Sequence, residues 1–154
     1  MPNWCENHLK IKGKEKDIDN FQEKINPKAF LNSFIPTPKA LTKQQSPPKR
    51  KHQAQKNIDK YGSEDWYNWN IKNWGTKWDF EVTDSFSNHI NKANNKQLNY
   101  YFDTAWGPPI EGITTISKKY PNLKFTLKYD EPGMCFKGTT IIQAGITNDT
   151  CKNY

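Results

Sequence analysis

The chain has 154 residues, a formal net charge of +7, and a composition that is 34% hydrophobic yet 14% aromatic. That length suits one domain, 1–154, with a single core, and with so few aliphatic residues the core must draw on large rings that bury on the order of 150–250 Å² each. No apolar run is long enough to span a membrane as a helix, no cationic-plus-apolar leader opens the chain, and Cys5, Cys135 and Cys151 make an odd number, so the expected setting is the reducing cytoplasm of a bacterial host cell, with no membrane partner.

Asn7, Leu9 and Ile11 alternate with His8, Lys10 and Lys12 up to Gly13, the period-2 pattern of a half-buried strand. Asp17 then caps a helix through Ile18, Phe21 and Ile25 that stops at Asn26-Pro27. From about 36 to 63 the chain is polar, basic and punctuated by Pro36, Pro38, Pro47 and Pro48, which predicts an inserted long loop. Ser63 and Asp65 open a short helix whose apolar face is Tyr67, Ile71 and Trp74, closed by Gly75.

Two strands are predicted next, one with Trp78, Phe80 and Val82 inward, the other with Leu98, Tyr100 and Phe102 inward. Pro108-Pro109 starts a helix through Ile110, Ile113 and Ile116 to Tyr120, and Leu123, Phe125, Leu127 and Tyr129 alternate along a further strand. Asp130-Glu131-Pro132-Gly133 turns the chain into a last strand around Phe136 and Ile141-Ile142. Strand, helix, insertion, two strands, helix and strand make an α+β, ferredoxin-like sandwich, an antiparallel sheet with helices on one face and an extra C-terminal strand.

Four blocks together resemble a known family: Met1-Pro2-Asn3-Trp4-Cys5 with Asn7, Leu9, Ile11 and Gly13; Asn73-Trp74-Gly75-Thr76-Lys77-Trp78-Asp79; Thr104-Ala105-Trp106-Gly107-Pro108-Pro109; and Tyr129 with Glu131, Gly133, Phe136 and Gly138. The arrangement resembles the YubB-type ferredoxin-like proteins carried on plasmids, phages and genomic islands, whose pattern usually has Ser where this chain has Gly107. The resemblance implies a mobile-element origin and the same fold, and it brings no catalytic mechanism.

The charge is localised. Lys39, Lys43, Lys49, Arg50, Lys51, Lys56 and Lys60 face only Asp59 within 39–60, so this segment holds nearly all the net charge, and Lys49, Arg50, Lys51, Lys56 and Lys60 are candidate contacts to RNA or DNA phosphates. Arg50 is the only arginine, which disfavours base-specific reading of a duplex. On the polar sheet face, alternation collects His8, Lys10, Lys12, Lys124 and Lys128 on one half and Asp79, Glu81, Asn99 and Asp103 on the other, a split that suits a protein or nucleoprotein; Tyr101 is the one aromatic expected there. Trp66 and Trp69 leave the Tyr67/Ile71/Trp74 face and are expected as exposed anchors of a partner, with Trp74, Trp78 and Trp106 mostly core.

Two further readings concern metal chemistry. Cys5 and His8 have ligand-like spacing but fall on opposite faces of a strand, so neither a metal nor another cofactor is expected. Asp79 and Glu81, two apart on one face with His89 as a base, would suit a metal-dependent nuclease, but no phosphate-binding loop accompanies them. The leading expectation is a non-enzymatic phage or mobile-element accessory protein that binds and inhibits or modulates a host defence complex, for instance an RNA-guided CRISPR nuclease, in the manner of an anti-CRISPR protein. The alternative is a nucleic-acid-binding protein of a mobile element with little sequence specificity, and the nuclease comes third.

Overall fold

The computed structural model describes residues 1–83, 88–89 and 93–154, with Asn88 and His89 described in their backbone only. The described elements are β1 (Trp4–Lys14), α1 (Glu15–Glu23), α2 (Lys39–Thr42), α3 (Lys51–Tyr61), α4 (Trp66–Trp74), β2 (Asn88–His89), β3 (Asn95–Ala105), α5 (Ile110–Lys119), β4 (Lys124–Glu131), β5 (Phe136–Gln143) and β6 (Ile146–Asn153). The strands form one sheet in the order β2-β3-β1-β4-β5-β6, every pair antiparallel. This is the ferredoxin-like arrangement, extended past β4 by the β5–β6 hairpin.

Helix α1 packs on β1 and β3, while α5 packs on β4 and β5 and carries α4 beside it, so one sheet face is covered and the other is open. The covered face presents Leu9, Ile11, Leu98, Tyr100, Phe102, Phe125 and Leu127, all buried. As the composition requires, rings fill the space above them: Phe21 meets Phe34 and Tyr120 at 5.0 Å each, and Phe80 stacks on Phe102 at 3.8 Å. Aromatic pairs in these geometries add about 0.5–1.5 kcal/mol beyond their area.

Helix α1 starts at Glu15 with Lys14 at its N-cap, so Asp17 lies inside the first turn and does not cap it, and the structure departs from the sequence expectations in four further places. In the segment 78–82 Phe80 and Val82 are buried as expected while Trp78 is exposed, and it is not a strand: its carbonyl at Phe80 accepts from the Phe30 amide and its Val82 amide donates to Pro27, so its backbone pairs with the turn after α1, and among the described residues it meets the sheet through the Phe80–Phe102 stack and a Thr83–Tyr101 bridge. The insertion is folded rather than an open loop. Leu41 of α2 is fully buried, and Asn57 of α3 donates to Gln44 Oε1 at 2.8 Å and to the Glu64 carbonyl at 2.7 Å. β6 was not expected at all; Ala144 and Gly145, at φ 50° and 80°, make the two-residue turn that starts it.

The fourth departure concerns the tryptophans. Asp65 caps α4 as expected, accepting from the Asn68 amide at 2.8 Å, but the inward stripe is Trp66, Trp69, Asn70 and Trp74, and Ile71 is exposed. Trp69 is buried edge-on against Trp74 at 5.9 Å and Trp66 packs against the core, so Trp69 is no surface anchor. Turning three indoles inward removes more apolar area from water than the expected Tyr67/Ile71/Trp74 face would.

Candidate functional site

The open face follows from strand register. Along β1 the outward residues are Trp4, Glu6, His8, Lys10 and Lys12, and each stands opposite an outward residue of its neighbours: Tyr101 and Lys128 beside His8, Asn99 and Thr126 beside Lys10, Gln97 and Lys124 beside Lys12. The structure therefore gathers Lys10, Lys12, Tyr101, Lys124 and Lys128 on one surface, as expected from the alternation. At its centre the His8 ring lies flat on Tyr101, 4.3 Å between centroids and 10° between planes, held by a 3.0 Å hydrogen bond between His8 Nε2 and Asn99 Oδ1. Tyr101 remains 55% exposed, so its ring is available to a ligand.

Beside this stack lies a cavity of about 290 Å³ lined by Glu6, Asn7, His8, Tyr101, Lys128, Tyr129 and Asp130. It continues, through Lys128, Tyr129 and the backbone of β4, into a groove of about 470 Å³ over β5 and β6, lined by Lys137, Gly138, Thr139, Thr150 and Lys152. The pairing Lys128–Thr139–Thr150 in one row and Asp130–Lys137–Lys152 in the next places three ammonium groups and two hydroxyls along that groove. The strands there are pinned from the covered side: Tyr129 crosses the bare Gly138 to donate to Asp149 at 2.9 Å, and Thr140 donates to the same carboxylate at 2.7 Å. Burial and that carboxylate push the Tyr129 hydroxyl pKa well up, so the donor stays protonated.

The Trp4 end of the face carries a second aromatic group, of which Trp78 and Trp106 were expected mostly in the core. Trp78 lies 6.3 Å from Trp4, and the Lys77 ammonium sits 4.5 Å from the Trp78 ring, 5.3 Å from Trp106 and 5.6 Å from Tyr67. Trp4, Trp78 and Trp106 are 45%, 41% and 38% exposed, which marks them, and not Trp69, as the surface tryptophans. Trp106 has φ +65°, costly for a bulky residue, and is held there by its amide donating to the Asn3 carbonyl and by Thr104 Oγ1 donating to the Gly107 carbonyl at 2.6 Å. Parts of all four blocks of the resemblance meet at this end of the sheet: the Trp106 amide bonds Asn3, Trp78 lies beside Trp4, and a side chain at Gly133 would run into Asn3. Residues 74–153, just over half of the chain, match the family model for the ferredoxin-like domain in Api92-like protein. The chain belongs to this Api92-like family.

A crystal structure of the protein api92 from Yersinia pseudotuberculosis matches over 100% of this chain and 98% of that one, with a TM-score of 0.57 at 11% identity, a likeness of fold. No curated protein matches the sequence. In this Api92-like chain the covered side of the same sheet end is polar. Cys5 is fully buried on the face opposite His8, and burial, then the nearby Glu131, push its thiol pKa up to about 12. Asn7 donates to the Cys5 carbonyl at 2.9 Å and to Thr104 Oγ1 at 2.8 Å, and buried Glu131 accepts from the Gly133 amide at 2.9 Å.

The remaining sequence candidates lie elsewhere. Lys49 and Arg50 line a cavity of about 320 Å³ with His52, and Lys51, Lys56 and Lys60 are exposed along α3. The insertion is tied to the start of α4 by Ser46 donating to Asp65 and by Asn57, so this basic group belongs to the helical layer and not to the open face. Asp79 is not a free carboxylate: its oxygens accept from the amides of Leu31 and Asn32 at 2.7 and 2.8 Å and from Asn32 Nδ2 at 2.9 Å, bracing the turn after α1. Glu81 is exposed beside it, and the His89 side chain lies outside the described residues. A larger cavity of about 620 Å³ near Lys14–Asn20 and Ala93–Asn94 has no aromatic wall.

Proposed function

We propose that this is a non-enzymatic nucleic-acid-binding protein of a mobile element, which takes a single strand across its open sheet face. The observation that carries the reading is the flat His8–Tyr101 stack on the neighbouring strands β1 and β3, walling a cavity that opens into a groove with Lys128, Lys137 and Lys152. A nucleotide needs a ring to stack its base and cations for its phosphate, and base–aromatic stacking is worth about 1–3 kcal/mol per base. A duplex is a poorer ligand here, since its bases are already stacked and a nearly arginine-free surface lacks the forks that read guanine edges in the major groove.

The test is fluorescence anisotropy with a labelled single-stranded oligonucleotide over a range of salt. Binding should weaken with salt at a slope near −2, at about −0.7 per phosphate for three contacts. A duplex bound as well as the single strand would remove the stacking argument.

A second reading is favoured by half-exposed Trp4, Trp78 and Trp106, the last two beside Lys77 and Trp4 beside Trp78, since clustered tryptophans anchor protein interfaces. On it, the protein inhibits or modulates a host defence complex, as the mobile-element resemblance suggests, with an RNA-guided nuclease the type of target. Affinity capture from a host expressing its defence systems separates the two: a defence complex that survives nuclease treatment supports the second reading, and partners lost on digestion support the first.

A further inference from the structure

Next to the stacked rings the open face carries an arrangement that the fold alone does not require. Glu6 stands directly opposite Asp103 on one side and Asp130 on the other, three carboxylates in one row across β3, β1 and β4. Like charges opposed across strands are destabilising. Among the described residues no lysine lies within ion-pair distance of any of the three, and the Glu6 carboxylate accepts no side-chain hydrogen bond, while Asp130 accepts one from Tyr154. Glu6 and Asp130 both line the cavity whose aromatic wall is His8 and Tyr101.

A ligand that satisfies this pocket has a flat ring, two adjacent N–H donors on its edge, and an anion to reach the lysines next door. We infer that the base seated against Tyr101 is guanine, an inference that rests on the strand-binding function proposed above. The Watson–Crick edge of guanine offers N1–H and N2–H side by side, a bidentate match to one carboxylate, whereas uracil offers a single N–H between two carbonyl oxygens that the carboxylates repel. Adenine and cytosine each pair one amino group with a ring acceptor and satisfy one oxygen only. Lys128, at the mouth shared with the groove, is placed for the guanine O6 or the adjoining phosphate. An arginine side chain from a protein could also stack and pair with Glu6, but it would bring a cation against Lys128, Lys137 and Lys152, where a nucleotide brings a phosphate.

The experiment compares three labelled nine-nucleotide RNAs by anisotropy: all uridine, uridine with one central guanosine, and the same with inosine, which lacks the N2 amine. The guanosine strand should bind about tenfold tighter than the uridine strand, the usual scale of one bidentate contact, and the inosine strand should lose most of that gain. Glu6→Gln, an exposed substitution that also relieves the repulsion in the row, should bring the guanosine strand down to the uridine level with a thermal melt equal to or above that of the parent, and free 5′-GMP should displace the strand where L-arginine at the same concentration does not. Equal affinities for the three strands would overturn the guanine inference and leave strand binding intact. No binding of any strand at low salt would overturn both, and displacement by arginine would reassign the pocket to a protein side chain.

Discussion

Two regions of this molecule place cations beside aromatic residues in the sequence, and the fold treats them oppositely. In the insertion and α4, Lys49, Arg50, Lys51, Lys56 and Lys60 point to solvent while Trp66 and Trp69 turn into the core, so charge and rings part company. On the open sheet face Lys10, Lys12, Lys124 and Lys128 share one surface with His8 and Tyr101, and Lys77 lies over two exposed tryptophans, Trp78 and Trp106. The first region holds nearly all the net charge and the second holds the geometry. A polyanion is attracted by charge, but a defined site needs cations and stacking surfaces within one ligand's reach.

The largest test of that contrast is on the tryptophans. Trp69→Ala should destabilise the fold by about 3–5 kcal/mol, as expected for emptying a buried indole, read as a lowered urea midpoint with little change of slope. Trp78→Ala, at a half-exposed position, should cost far less. If the two variants melted alike, the division between core and surface tryptophans would fall.

Tyr101→Ala comes next. Removing the exposed member of the His8 stack should weaken a single strand by about tenfold or more, the loss of roughly 1–3 kcal/mol of stacking, with a melting temperature close to that of the parent. A loss of stability equal to the loss of binding would show that the ring serves the sheet rather than a ligand.

Beneath the face, Cys5 gives a smaller, pH-dependent effect. The unfolded thiol ionises from about pH 9, while the buried one stays neutral to about pH 12, so in that window the unfolded chain binds fewer protons and stability falls as pH rises, at up to about 1.4 kcal/mol per unit. Tyr120 and Tyr129, whose hydroxyl pKa values are also raised, act in the same direction above pH 10, so the comparison is with Cys5→Ala. That variant should show a shallower decline between pH 9 and 12 in chemical denaturation.

How far the sequence could be read depends on what a period of two reports. It found β1, β3 and β4 and the lysine face because each has one buried and one wet side, whereas β5 was legible from the Asp130–Gly133 turn before it and its apolar Phe136 and Ile141-Ile142. It overreached at 78–82, where Phe80 and Val82 are buried but the backbone pairs with a turn, because alternation signals burial and not partnership. It missed β6 because none of that strand's side chains is buried; the visible signal was the Ala144-Gly145 turn after Gln143. The insertion read as a loop because its two anchors, Leu41 and Asn57, are single residues in a polar stretch. The cavity with Glu6 and Asp130 was out of reach because it depends on the register between β1 and β4, which no local pattern encodes.

The smallest effect is expected where the sequence draws the eye first. Replacing Lys49, Arg50 and Lys51 together by Ala removes three exposed cations that no described carboxylate pairs with, so stability should move by no more than about 0.5 kcal/mol. Because these side chains lie on the helical layer, strand affinity should drop only by the weak long-range attraction, which salt screens over about 8 Å at physiological ionic strength, and the salt slope should stay near that of the parent. Lys128→Ala removes a single charge but one that lines both the cavity and the groove, so it should lower the slope by about 0.7. If the triple variant lowered the slope more than Lys128→Ala, the phosphates would run along the insertion and the open face would lose its claim to the strand.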